Sequence, residues 1–310
     1  MTNDGPTIPH PAVEEAFHSS ASGFRIYSCV HTGPETKGVI LLTHGLGEHS
    51  GRYGHVIHQM QEAGLATVRF DLRGHGRSDG PRGHAGSYES LLDDLSLMYQ
   101  WTRARFPGIP LVVYGHSLGG NLVANWCLRR RLESSQIAGA VLSSPWFLLT
   151  AQPSPLKVAI IKMLAGYWPN FPIPAKFRPK RLTRHRAAID AYEHDPLIHR
   201  RVSVRLASDC FDAGQWALEH ASTCHVPILG MHGTADSITN PAGTIRFCEA
   251  APNAKLLLFE DLVHEPHNEA DWRSVVGQVR DWIVHRIEAA PQILSQVHAN
   301  SVVETLAARQ

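Results

Sequence analysis

Apolar, β-branched runs alternate along this chain with amphipathic stretches, and that rhythm restricts the fold more than any other feature. Val39-Ile40-Leu41-Leu42-Thr43 predicts a buried strand ending at His44-Gly45, and Ala66-Thr67-Val68-Arg69-Phe70 predicts another ending at Asp71. Leu111-Val112-Val113-Tyr114 runs into Gly115. Ala140-Val141-Leu142-Ser143, Pro227 to Met231 and Lys255 to Phe259 give three more, and Phe24 to Val30 adds an outer strand. Between them, Tyr88 to Phe106 carries Leu91, Leu95, Met98 and Trp101 at helical spacing. Asp271 to Ile287 places Trp272, Val275, Val276, Val279, Ile283 and Ile287 on one stripe. Such alternation implies a mostly parallel central sheet with helices on both faces. In sheets of that kind, sites form at the carboxyl ends of the strands. With 310 residues, 43% of them hydrophobic, the chain can bury one large core and carry an insertion.

The rhythm breaks between Trp146 and His225. Prolines stand at positions 153, 155, 169, 172, 174 and 179, and no buried strand is evident. This stretch predicts a cap over the carboxyl edge of the sheet. The expected organisation is a core in two parts, 1–145 and 226–290, a cap at 146–225, and a weakly amphipathic tail at 291–310. The cap holds eleven basic residues, Lys176 among them, against six acidic ones, a net +5 where the whole chain carries +1. Within it, Leu156 to Trp168 is apolar but too short to span a bilayer. It reads either as an interfacial helix or as an ordinary buried helix.

Near-neutral charge gives no general attraction to nucleic acid. The cysteines, Cys29, Cys127, Cys210, Cys224 and Cys248, are odd in number and lack a C-x-x-C pair. That fits a reducing compartment rather than a disulfide framework. Met1 to His18 lacks a basic start followed by an apolar run, so no signal peptide is expected. A cytoplasmic protein, with peripheral membrane contact through the cap, is the expectation. The 20 histidines are scattered, and Pro266 in His264-Glu265-Pro266-His267 breaks the helix that two metal ligands would need. Surface and loop histidines, rather than a metal site, are expected.

Gly115-His116-Ser117-Leu118-Gly119 is G-x-S-x-G between a strand and a helix expected over Asn121 to Arg131. A serine on so sharp a turn needs small neighbours, which Gly115 and Gly119 supply. A nucleophilic serine also needs a base, and the base needs an orienting acid. Asp236 follows the strand Pro227–Met231, and His264 follows Lys255–Phe259, so both stand at the right edge. Their rivals are Asp209 and Asp212 inside the cap, Asp261 in a tight turn, and His267, expected to start the last helix. For a tetrahedral intermediate the N–H of Leu118 is one donor. The N–H of Leu46, in the loop His44-Gly45-Leu46-Gly47, is the other.

The loop His44-Gly45-Leu46-Gly47-Glu48-His49-Ser50-Gly51-Arg52-Tyr53 resembles the signature loop of monoacylglycerol lipases and related lysophospholipases. So does Asp71-Leu72-Arg73-Gly74-His75-Gly76-Arg77-Ser78-Asp79-Gly80. With the serine motif and the acid and histidine loops, the resemblance runs from about Phe24 to Ile287. It implies the α/β-hydrolase fold and hydrolysis of a monoglyceride or similar lipid ester without metal or organic cofactor. It places the triad on Ser117, Asp236 and His264 and the oxyanion donors on Leu46 and Leu118. Glu48, His49, Arg52, Asp71, Arg73 and His75 are expected to tie loops together.

Three other readings compete. A lysophospholipase or general carboxylesterase would share the chemistry. An aminopeptidase of the same superfamily would need acidic groups facing the site from the cap. A ligand-binding protein on a dead hydrolase frame would have lost the nucleophile or the base, and here both positions are filled.

Overall fold

The computed structural model describes residues 12–33, 35–175 and 177–307. Its strands are β1 (Ala12–Ser19), β2 (Arg25–Thr32), β3 (Gly38–Thr43), β4 (Leu65–Phe70), β5 (Leu111–His116) and β6 (Gly139–Ser143). They continue with β7 (Pro172–Pro174), β8 (Arg201–Ser203), β9 (Ile228–Gly233) and β10 (Ala254–Phe259). Eight of them form one sheet in the order β1-β2-β4-β3-β5-β6-β9-β10. From β4 to β10 all neighbours are parallel; β1 and β2 run antiparallel at one edge.

The core helices are α1 (Gly54–Glu62), α2 (Tyr88–Arg105), α3 (Leu118–Arg129) with the short α4 (Arg131–Ser134) after it, α9 (Pro241–Ala250) and α10 (Trp272–Ala307). The inserted stretch supplies α5 (Pro155–Tyr167), α6 (Pro179–Leu182), α7 (Arg186–His194) and α8 (Val204–His220). Strand residues alternate between two buried layers. Val39, Leu41, Val113 and Leu142 meet Leu95, Met98, Leu122, Trp126 and Phe247 from α2, α3 and α9. Ile40, Leu42, Val112 and Val141 meet Ile57 and Met60 of α1 and Val279 and Ile283 of α10. With both faces covered, the central strands read as unbroken apolar runs. Caps fix the helix starts: Ser87 accepts the Ser90 N–H ahead of α2, and Ser203 accepts the Leu206 N–H ahead of α8.

Several boundaries differ from the sequence reading. α3 begins at Leu118, directly after the serine, rather than at Asn121. His267 lies in a short 3-10 turn, Pro266–Asn268, ahead of the last helix. The expected tail continues α10 as far as Ala307, and residues 308–310 lie outside the described residues. The insertion is not strandless, since β7 and β8 pair antiparallel. Nor is it wholly separate: Leu206, Cys210, Ala213 and Ala217 of α8 are buried in the same cluster as α3. Lys176, counted in the charge of this stretch, lies outside the described residues.

Candidate active site

Loops after β3, β5, β9 and β10 meet around Ser117. Ser117 has φ 52° and ψ −112°, a strained backbone for a residue with a side chain. The turn closes because its flanks have none. A Cβ on Gly115 would stand 2.2 Å from the Gly119 carbonyl oxygen, and one on Gly119 would stand 2.4 Å from that of Thr43. The loop after β3 lies against this elbow, since a Cβ on Gly45 would come 3.2 Å from the Ser117 Cβ.

Asp236 and His264 reach Ser117 from the turns after β9 and β10. The Ser117 hydroxyl donates to His264 Nε2 at 3.0 Å, and His264 Nδ1–H donates to Asp236 Oδ2 at 2.7 Å. An ionised carboxylate only accepts, so the proton of the imidazole sits on Nδ1. Asp236 Oδ1 accepts the N–H groups of Ile238 at 2.7 Å and Thr239 at 3.1 Å. Oδ2 also accepts from the Thr239 hydroxyl at 2.8 Å and His232 Nε2 at 3.0 Å. Burial opposes the charge on Asp236, but His264 and His232 beside it hold its carboxyl well below the usual carboxylate range. Burial likewise opposes an imidazolium at His264; Asp236 outweighs it and raises the pKa above the ordinary value.

Leu118 opens α3, so its N–H has no intrahelical carbonyl. Leu46 lines the cavity beside Ser117. The rival residues sit elsewhere. Asp209 is bonded to Arg205 and to the Tyr88 N–H, and Asp212 to Lys162. Asp261 is an exposed turn residue at φ 58°. His267 is buried and stacked on Tyr53, with ring centroids 5.0 Å apart.

The sequence reading missed a buried polar corner. Arg52 donates to both oxygens of Glu265, at 2.7 and 2.8 Å, and also to Glu48. Glu48 Oε1 accepts the Gly45 N–H at 2.6 Å and the Tyr53 hydroxyl at 2.8 Å. Burial disfavours these carboxylates, yet Arg52 keeps both below the usual range. Glu48 and Arg52 do tie loops together, but they also line the cavity, as does Glu265. The available signal was position, since Glu265 directly follows His264.

That cavity, of about 270 Å³, is apolar away from this corner, with walls that include Trp146, Leu149, Ile161, Phe177, Tyr192 and Phe211. Arg181 is the one charged side chain lining it from the described part of 146–225; Asp190 and Glu193 do not. Among the described residues, no cluster of His, Cys, Asp and Glu could hold a metal ion, and no helix is long and apolar enough to cross a membrane.

The Hydrolase_4 family model, described as serine aminopeptidase, S33, matches residues 34–271. A monoacylglycerol lipase of Mycolicibacterium smegmatis is 32% identical over 277 residues, 87% of this chain and 97% of that protein. An abhydrolase domain-containing protein of Dictyostelium discoideum is also 32% identical, over 83% of this chain, which spans only 27% of that longer protein. The crystal structure of Paleococcus ferrophilus monoacylglycerol lipase superposes with a TM-score of 0.77 at 32% identity, covering 84% of this chain and 99% of that one. The chain belongs to the Hydrolase_4 family of the α/β-hydrolase fold and stands among its monoacylglycerol lipase-like members as a carboxylic ester hydrolase.

Proposed function

We propose that the protein hydrolyses a monoacylglycerol or a related lipid ester through an acyl-enzyme on Ser117. The observation that carries this is the Ser117 hydroxyl, bonded to His264 Nε2 and lining a cavity that is apolar along most of its wall and polar at one corner. An acyl chain fits the apolar wall, and a glycerol head fits beside Glu48, Arg52 and Glu265.

Ser117 Oγ attacks the ester carbonyl carbon while His264 Nε2 takes its proton. The N–H groups of Leu46 and Leu118 stabilise the oxyanion. His264 then protonates the departing alcohol, leaving the acyl group on Ser117. Water, deprotonated by His264, attacks the acyl carbon and frees the fatty acid. Asp236 orients the imidazole and stabilises its charged form throughout.

The stretch 146–225 serves as the cap of this site, and its exposed apolar helix α5 makes peripheral contact with a lipid surface. An aminopeptidase is the poorer reading. Its substrate carries an ammonium, and the charged cap side chain at the cavity is a cation, Arg181. The two carboxylates there are already engaged by Arg52. A hydrolysis panel of monoglycerides, lysophospholipids, short nitrophenyl esters and aminoacyl anilides tests the substrate class. Monoglycerides are expected to be cleaved well and the anilides hardly at all; the reverse order would refute the lipid reading.

A further inference from the structure

Asp236 carries two imidazoles. His232, inside β9, places Nε2 3.0 Å from Asp236 Oδ2, the oxygen that His264 Nδ1 reaches at 2.7 Å. His232 is fully buried. Its tautomer follows from its neighbours. Nε2 faces Asp236 Oδ2 and the Thr239 carbonyl oxygen at 3.3 Å, and both are acceptors, so Nε2 carries the proton. Nδ1 lies 2.7 Å from the Thr244 hydroxyl on α9, which donates to it. One chain of hydrogen bonds thus runs from Thr244 through His232, Asp236 and His264 to Ser117. The reaction described above makes no use of its first two members.

We propose that His232 is a positioning residue for the catalytic base, sharing the triad acid with His264 so that Asp236 can neither turn away from the base nor hold its proton too tightly. The proposal rests on the Ser117–His264–Asp236 reading. Two physical effects support it. Without the His232 donor, the carboxylate keeps the Ile238 and Thr239 N–H groups on Oδ1 but only the Thr239 hydroxyl on Oδ2, the oxygen that faces His264. Each N–H aimed at a carboxylate also spreads its negative charge and weakens its pull on a neighbouring imidazolium. The polar groups facing His232 are Asp236, Thr239 and Thr244; Asp236 is the charged one among them. Removing His232 therefore strengthens the pull of Asp236 on protonated His264. The sign is fixed: the acid limb of the pH–rate profile moves to higher pH.

The test compares His232→Phe, His232→Gln, Thr244→Val and Ser117→Ala with the parent on a soluble nitrophenyl ester. kcat and KM are measured between about pH 5 and pH 9, the range in which an imidazole titrates, with a melting curve for each variant. For His232→Phe the expectation is a kcat lower by about tenfold, a KM changed by less than about twofold, and an acid limb at higher pH. His232→Gln keeps an N–H donor and recovers part of the rate. Thr244→Val, which frees His232 to turn, shows a smaller change of the same sign. A folded His232→Phe with the parent kcat and an unmoved acid limb would overturn the proposal. If that variant does not fold, an unchanged profile in Thr244→Val overturns it instead. Full activity in Ser117→Ala would sink the triad reading itself. A dead Ser117→Ala beside an unaffected His232→Phe would remove only the role of His232.

Discussion

Arg52 forks the Glu265 carboxylate across 213 positions of sequence, Nη1 to Oε1 at 2.7 Å and Nη2 to Oε2 at 2.8 Å. Glu265 is buried and Arg52 nearly so, and the pair joins the loop after β3 to the loop that carries His264. Breaking a buried ion pair leaves an uncompensated charge and costs about 3–5 kcal/mol. Arg52→Gln, which leaves Glu48 and Glu265 together without their cation, is therefore expected to lower stability on that scale, read as a lower urea midpoint with an unchanged slope. It should also slow turnover, because the base loop loses its anchor. A midpoint equal to the parent's would show that the pair contributes nothing to the fold.

His264 and His267 differ in what they touch, and that difference separates their variants. His264 bridges Ser117 and Asp236, whereas His267 stacks on Tyr53 and meets His116 edge-on. His264→Ala is expected to lower kcat by roughly four orders of magnitude, and Asp236→Asn strongly as well. His267→Ala should cost stability through lost packing while keeping most of the rate per folded molecule. The opposite ranking in a steady-state assay would make His267 the base.

The pH dependence has a definite sign. As the proposed base, His264 must be neutral to accept the Ser117 proton. Although burial opposes the imidazolium, Asp236 raises the pKa of His264 above the ordinary histidine value of about 6.5. kcat/KM is thus expected to fall as pH drops through a midpoint above about 6.5. Stability follows different windows. Asp236, held low, stabilises the fold above its unfolded pKa, and that contribution is lost as pH falls through its folded one. His264, held high, stabilises the fold below its unfolded pKa and loses this as pH rises through its folded one. A kinetic midpoint below about 6 would contradict the assigned base.

How much of this could be read from the sequence depends on how each element is buried. β3, β5 and β6 are covered on both faces and appear as unbroken apolar runs, so they stood out. β1 is an edge strand with exposed Val13 and Phe17 and with Glu14 and Glu15 between them, and no run marks it. α1 buries only Val56, Ile57 and Met60, too few positions to stand out among its polar residues. At the site, Ser117, Asp236 and His264 were legible because each closely follows a strand. Glu265 and His232 were not, because their roles depend on partners far away in sequence or on the far side of Asp236. The buried half of α8 was hidden by the prolines and charges of the stretch around it.

The exposed helix α5, in the proposed cap, supports a membrane prediction. Leu156, Met163, Tyr167 and Trp168 are 71%, 55%, 78% and 64% exposed, while Ala165 alone of the helix is buried. Ile161 lines the cavity, and Ile160 is turned out to solvent. So large an apolar face beside a basic cap favours an anionic lipid surface. Vesicle co-sedimentation should show binding that rises with anionic lipid and weakens with salt. Replacing Ile160 and Met163 by aspartate should reduce it and spare hydrolysis of a soluble ester. A parent protein that does not sediment with vesicles would leave α5 without a lipid role.

The role of Ser117 is tested most directly by covalent labelling. The parent and Ser117→Ala are treated with a fluorophosphonate, digested, and mapped by mass spectrometry, with esterase activity followed in parallel. The expected result is one adduct on Ser117 in the parent, loss of activity in step with labelling, and neither adduct nor turnover in a folded Ser117→Ala. An active Ser117→Ala, or a parent that loses activity through an adduct on another residue, would contradict an acyl-enzyme on Ser117.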